Sequence, residues 1–366
     1  MRLNLRYQDD DPESVQGLQF YDHRRYVVRA LVPSGYEAYF QTQARYISAH
    51  TSTAIEGNPM DDEAAMIVLV EGADAHNPNA VEKINLNEAY ELMTQLASDT
   101  STRIDQGIIR AMNSLVLRGS PDYEAQTRGK YRVRQNLIVD SATREVRYRP
   151  PPPEVVSELM VGFVEDLGSW IDEFPPPIAA ALAHFGLISI HPFDNGNGRT
   201  ARLLADMVLH QKGWSIDGML SISKVILDDR AKYYNSLREA QGDLFAEDVD
   251  VTPFIRFHTE TLGVAAALLE DKVVRFNKRR DYLMKGIPNL NSRQVTGLMF
   301  MLDIGPLSTS TYARLTSVSQ PTALADLAQL IDWGIVAREG AGRNTRYRLH
   351  PRLANTIEDS LKERSG

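Results

Sequence analysis

A mainly α-helical protein, with a helical core interrupted by one β-hairpin and a small separate module near its C-terminal end, is what this sequence predicts. Three observations carry that reading. Apolar residues recur at three- and four-residue spacing over long stretches, such as Ile178 to Ile190 and Leu203 to Val208. Period-two alternation is confined to a few short runs. The last 80 or so residues change rhythm, with shorter helical patterns and closely spaced turns.

Composition sets the outer limits. The chain has 366 residues, of which 43% are hydrophobic and 24% charged, a globular balance that implies two or three domains. Forty-eight acidic against 40 basic residues give a net charge of −8, so any surface for nucleic acid has to be local. The absence of cysteine removes disulfides, thiolate metal sites and thiol nucleophiles together. No signal-like or membrane-length apolar run occurs, and the sequence reads as a soluble cytoplasmic protein without membrane contact.

Residues 1–110 read as an N-terminal helical region. A core follows over residues 111–265. Within it Leu137 to Val139, the turn Asp140 to Thr143, and Val146 to Tyr148 read as strand, turn and strand. A lone hairpin in a helical protein is a candidate flap. The runs Pro150 to Pro153 and Pro175 to Pro177 lack backbone donors and bracket a helix expected over Val155 to Ile171.

A helical pattern from Val251 to Met284 becomes basic at its end. Six basic residues against Asp281 between Lys272 and Lys285 suggest a linker helix over residues 266–286. Ser292 to Leu302, Ser308 to Thr316 and Pro321 to Trp333 then read as three short helices. Ile335 to Arg338, a turn over Glu339 to Arg343, and Thr345 to Leu349 complete a hairpin. Three helices and a two-stranded wing, within residues 287–355, predict a winged helix-turn-helix domain.

The densest chemistry lies in HPFDNGNGRTAR, His191 to Arg202. Gly196, Asn197 and Gly198 permit the backbone angles that turn successive amides to one point, and a helix starting there adds its positive end. Arg199 and Arg202, one turn apart, can both reach one extended polyphosphate. His191 stands where it could take a proton from a group attacking that phosphate. A base, an anion nest and two arginines fit phosphoryl or nucleotidyl transfer. GNGRTA also satisfies a dinucleotide fingerprint, with Asp217 about 20 residues on, but the segment before it reads as a helix where that fingerprint requires a strand.

HPFDNGNGRTAR closely resembles the motif of the Fic-domain family. Ser52, Glu56 and Gly57 in TSTAIEGN resemble that family's inhibitory motif, RGKYR (Arg128 to Arg132) and YRPPPP (Tyr148 to Pro153) the surroundings of its flap, and Tyr233 and Tyr234 in RAKYYNSL a segment beside the nucleotide. The resemblance implies a Fic helical core and transfer of AMP from ATP to a Ser, Thr or Tyr hydroxyl of a protein target. It implies His191 as general base, Phe193 as anchor of the loop, and Gly196, Asn197 and Gly198 on the α- and β-phosphates. Arg199 would take the β- and Arg202 the γ-phosphate. The flap would hold the target by strand addition. Glu56, with Ser52, would inhibit by a bidentate pair to Arg202, and the same glutamate could position water for removal of AMP.

The sequence departs from the family where a Mg²⁺ ligand is implied, with Asn195 in place of a carboxylate. An alternative from another class is a DNA-binding regulator whose weakened core senses a nucleotide. Arg338, Arg343, Arg346 and Arg348 against Glu339 favour contact of the wing with DNA, although such modules also bind proteins. Self-modification and a homodimer are further expectations.

Overall fold

The computed structural model describes residues 2–72, 76–119, 127–139, 144–342 and 345–353. The flap tip Asp140 to Thr143, Arg343 at the wing tip and residues 354–355 of the expected last domain lie outside them.

In chain order the elements are β1 (Asn4–Arg6), α1 (Pro12–Leu31), α2 (Glu37–Ile55), α3 (Asp62–Glu71), α4 (Pro78–Ser98), α5 (Gln106–Val116), β2 (Ile138–Val139), β3 (Val146–Tyr148), α6 (Pro153–Glu173), α7 (Pro176–Ile190) and α8 (Asn197–Gln211). There follow α9 (Ile222–Asp228), α10 (Arg230–Gln241), β4 (Asp248–Asp250), α11 (Thr252–Gly286), α12 (Ser292–Asp303), α13 (Thr309–Leu315), α14 (Gln320–Asp332), β5 (Val336–Glu339) and β6 (Arg346–Leu349). The starts are written in the sequence. Side chains of Asp11, Asp61, Asn77 and Asp105 accept hydrogen bonds from the first-turn amides of α1, α3, α4 and α5, and prolines occupy the first turns of α6 and α7, where no donor is needed.

Helix α7 is the centre of the core. Pro177 to Ile190 are all buried, which follows from a sequence apolar on every face. It packs on α6, α8 and α11. Helix α2 lies against α4 and α9 and brings its C-terminal end to the start of α8. The hairpin β2–β3 is antiparallel, with Ile138 opposite Tyr148 and Val139 opposite Val146. Leu137, Val139 and Val146 are exposed.

Two features differ from expectation. A parallel pair joins Asn4–Arg6 to Asp248–Asp250, which no local pattern announces because its partners are 244 residues apart. The expected boundary between a core and a basic linker helix falls inside α11. That helix runs unbroken for 35 residues, about 52 Å, and α1 packs along it.

At the C-terminal end three helices and the antiparallel pair β5–β6 take the predicted winged order. The module is fastened to the rest. Asp303 at the end of α12 accepts a hydrogen bond from Tyr39 Oη at 2.5 Å and pairs with Arg279. Arg314 donates to the Val70 carbonyl at 2.7 Å, and Arg346 pairs with Glu71. Among the described residues no helix is long and apolar enough to cross a membrane.

Candidate active site

The loop between α7 and α8 is built by its own side chains. His191 ends α7 in the left-handed region, at φ 49°, which turns the chain out of the helix. Asn197 then closes the turn on itself. Its Oδ1 accepts from the Phe193 N–H at 3.0 Å and its Nδ2 donates to the Phe193 carbonyl at 2.9 Å. The Asn197 side chain therefore serves the loop, and only its N–H faces the helix start. Phe193 is buried, in ring contact with Tyr131.

Gly196 is required at the next step. It caps α8 at φ 77°, and a Cβ there would lie 2.9 Å from Asn113 Nδ2. Asn113, fully buried on α5, donates from that nitrogen to the Asn195 carbonyl at 2.9 Å, while its oxygen accepts from Gly129 N–H at 3.1 Å. Arg132 adds a second brace, donating from Nε to the His191 carbonyl at 2.9 Å and from Nη2 to the Pro151 carbonyl at 2.6 Å.

Helix α2 supplies the contact that local sequence could not. Arg202, fully buried on α8, donates from Nε to Ser52 Oγ at 2.8 Å, from Nη2 to the Ser52 carbonyl at 3.0 Å, and from Nη2 to Glu56 Oε1 at 2.7 Å. The pairing differs from the expected fork, since Ser52 takes the place of the second carboxylate oxygen. The Glu56 carboxylate lies over Gly198, where an added Cβ would collide with it. Desolvation raises the Glu56 pKa, but Arg202 and Arg199 outweigh it and hold the group below its ordinary value. A negative charge thus rests at the positive end of α8.

Arg199 is also engaged. It pairs with Glu82 of α4, and its Nη2 donates to Asn195 Oδ1 at 3.1 Å. Glu82 in turn accepts from Asn58 Nδ2 at 2.6 Å. At this site the buried nitrogens Arg202 Nη1 and Arg199 Nε have no hydrogen-bond partner among the described residues. Unmet donors of this kind suit phosphate oxygens.

Two cavities meet at Glu56. One of about 510 Å³ is lined by Glu56, His191, Gly198, Tyr233, Tyr234 and flap residues including Ile138 and Val139. The other, about 290 Å³, is lined by Glu56, Glu82, Asn195 and Arg199. Burial lowers the His191 pKa to about 4, so the imidazole is neutral at pH 7 and able to accept a proton. The two tyrosines divide. Tyr233 is core, its hydroxyl 3.0 Å from His184 Nε2, whereas Tyr234 is partly exposed on the large cavity.

The donors at Asn195 do not fit a metal in this arrangement. Its side-chain oxygen faces the Gly196 N–H and Arg199, so a cation there would meet a guanidinium. Among the described residues no three His, Asp or Glu gather as a metal cluster.

Sequence reasoning missed Glu82 and Asn113 altogether. Asn58 and Arg132 carried a signal only as the last residues of the TSTAIEGN and RGKYR segments. Behind the C-terminal end of α2, buried Lys83 approaches His50 Nδ1 at 2.9 Å and Thr53 Oγ1 at 3.0 Å, with burial lowering its pKa to about 8. This joins α4 to α2.

Comparison with known proteins gives the family and the fold of this region. Residues 103–209 match the Fic/DOC family, and residues 291–350 match the C-terminal domain of transcriptional regulator DIP2311-like proteins. The chain is 34% identical over 231 residues to a protein adenylyltransferase Fic of Nematostella vectensis, covering 60% of this chain and 46% of that protein. It is 29% identical to protein adenylyltransferase fic-1 of Caenorhabditis elegans, covering 58% of this chain and 38% of that one. The chain thus spans less than half the length of these two relatives. A Fic family protein from Desulfovibrio desulfuricans G20 shares the fold over 93% of this chain and 97% of its own, with TM-score 0.56 and 23% identity. A Fic-1 fragment of C. elegans shares it over 70% of each, with TM-score 0.53 and 23% identity. The loop from His191, the start of α8 and the braces Asn113 and Arg132 all fall within the matched segment, and this chain carries a Fic/DOC-family domain at residues 103–209.

Proposed function

We propose that this chain is a protein adenylyltransferase, moving AMP from ATP to a protein hydroxyl and restrained by Glu56. The observation that carries the reading is the Glu56 carboxylate seated on Arg202 over Gly198, beside a neutral His191 that lines the same cavity. A carboxylate held there takes the place an anion would take.

In this reading the Gly196, Asn197 and Gly198 backbone and Arg199 and Arg202 hold the phosphates, and Tyr234 borders the space for the base. His191 takes the proton of the incoming hydroxyl. The hydroxyl oxygen bonds to the α-phosphorus, and the bond to the departing pyrophosphate breaks. The exposed flap edge suits an extended target segment. Glu56 withdraws Arg202 from the terminal phosphate, so ATP cannot align for attack until α2 yields. Relatives named as protein adenylyltransferases support the choice of transferred group. Removal of AMP by water held at Glu56 is a second activity of the same site.

Incubation of the full chain and of Glu56→Gly with ATP labelled separately in the adenine and the γ-phosphate tests this. Adenine label on the chain or a target is the expected result, and γ-label in its place would overturn it.

A further inference from the structure

Arg199 is as firmly occupied as Arg202, by a different carboxylate. Glu82 reaches it from α4 with one oxygen and accepts the Asn58 carboxamide, at 2.6 Å, with the other. Asn58 follows Glu56 by two residues and also donates to the Asn79 carbonyl at 3.0 Å. One short segment, Glu56 to Asn58, therefore touches Arg202 directly and Arg199 through Glu82.

The cavities give this arrangement a direction. Glu56 borders both, Gly198 and Tyr234 lie on the larger, and Glu82, Asn195 and Arg199 lie on the smaller. A linear polyphosphate passing Gly198 enters the smaller space once Glu56 is gone. There it meets a second negative charge, and an arginine already paired with it. Glu82 is three-quarters shielded from solvent and Arg199 almost wholly so, which keeps water from weakening the pair.

We propose that Glu82 is a second inhibitory carboxylate, which withholds Arg199 from phosphate as Glu56 withholds Arg202, and that Asn58 couples the two. This rests on the reading of both arginines as phosphate holders. A purely supporting Glu82 would aim Arg199 at the ligand. Here the guanidinium is turned towards Glu82 and Asn195, while its Nε has no hydrogen-bond partner among the described residues.

Titration calorimetry of the full chain with inorganic tripolyphosphate, at fixed ionic strength, tests the proposal without reference to AMP transfer. Glu82→Gln keeps an acceptor for Asn58 and removes the charge. In the Glu56→Gly background it is expected to tighten tripolyphosphate binding about tenfold, and Asn58→Ala to tighten it by less. With Arg199→Ala also present, Glu82→Gln is expected to change nothing. Equal or weaker binding on Glu82→Gln, in a variant whose circular dichroism and melting match the parent, overturns the proposal. Should that variant fold poorly, Glu82→Asp, which keeps the charge but shortens its reach, is expected to tighten binding partway, and unchanged binding overturns it equally. Tripolyphosphate affinities in the expected order, with no adenine label ever transferred, support the second carboxylate and sink the adenylyltransferase reading alone.

Discussion

Glu56 Oε1 lies 2.7 Å from Arg202 Nη2, across 146 positions of sequence, with Ser52 filling the rest of the guanidinium's edge. Glu56→Gly removes the carboxylate but leaves Ser52 in place, so Arg202 stays ordered while its charge is released. Self-modification is expected to rise at least tenfold. Arg202→Ala is expected to depress it, and the double variant to match Arg202→Ala, because a released clamp has nothing left to deliver. Counting adenine label in the three variants decides this, and equal labelling of wild type and Glu56→Gly would contradict it.

His191→Ala is expected to lower transfer by about 10² to 10⁴-fold with ATP affinity nearly unchanged. The acid side of the pH profile gives an independent check. Burial holds His191 at about 4, and Glu56 raises it somewhat, so Glu56→Gly lowers it further. Transfer by Glu56→Gly should persist well below pH 6.5 at short assay times. A fall centred near 6.5 would show a base in ordinary solvent.

Asn195→Asp places a carboxylate against Arg199. It is expected to weaken tripolyphosphate binding several-fold and to leave Mg²⁺ affinity in the absence of nucleotide unchanged, since the new charge is taken up by the guanidinium. Calorimetry with each ligand in turn measures both, and a gain in Mg²⁺ affinity would contradict the geometry.

Asn113→Ala removes a buried amide that serves the Asn195 carbonyl and the Gly129 N–H at once. Leaving both unmet is expected to cost about 2–4 kcal/mol of stability, read from the urea midpoint. Affinity for tripolyphosphate should fall with it, because the loop's start of α8 loses its brace.

The winged module is expected to bind double-stranded DNA weakly at physiological salt. Its third helix, α14, contains Asp326 and Asp332 but no lysine or arginine, while Arg346 pairs with Glu71 and Arg348 with Glu339. Fluorescence anisotropy against salt would show otherwise if affinity were high and fell steeply.

The extent to which sequence carried this protein depended on chain distance. The loop from His191 to Arg202 was legible as a candidate site because the histidine, the glycines and both arginines are contiguous, so glycine backbone freedom and helical spacing suffice to group them. The winged order was legible from the period of its apolar residues and from the closely spaced turns between them. Glu56 could be joined to Arg202 only through family resemblance, and Glu82 and Asn113 through nothing at all. A glutamate and an asparagine inside amphipathic helices have no local mark to tell a solvated side chain from one aimed at a distant arginine or carbonyl. Tyr233 shows a mixed case, a motif residue that borders the cavity yet is buried with its hydroxyl near His184, while its neighbour Tyr234 is exposed there.

Helix α2 has Tyr39 anchored on Asp303 near one end and Glu56 seated on Arg202 just past the other, with no interruption between. Over its 19 residues this is a rod of about 28 Å. A rod transmits displacement without absorbing it. Sliding the far tip by the few ångströms that would lift a carboxylate off a guanidinium drags the tyrosine from its seat on the winged module, unless the final turn uncoils instead. If α2 moves as a rod, the Tyr39 contact with the winged module and the availability of Arg202 change together.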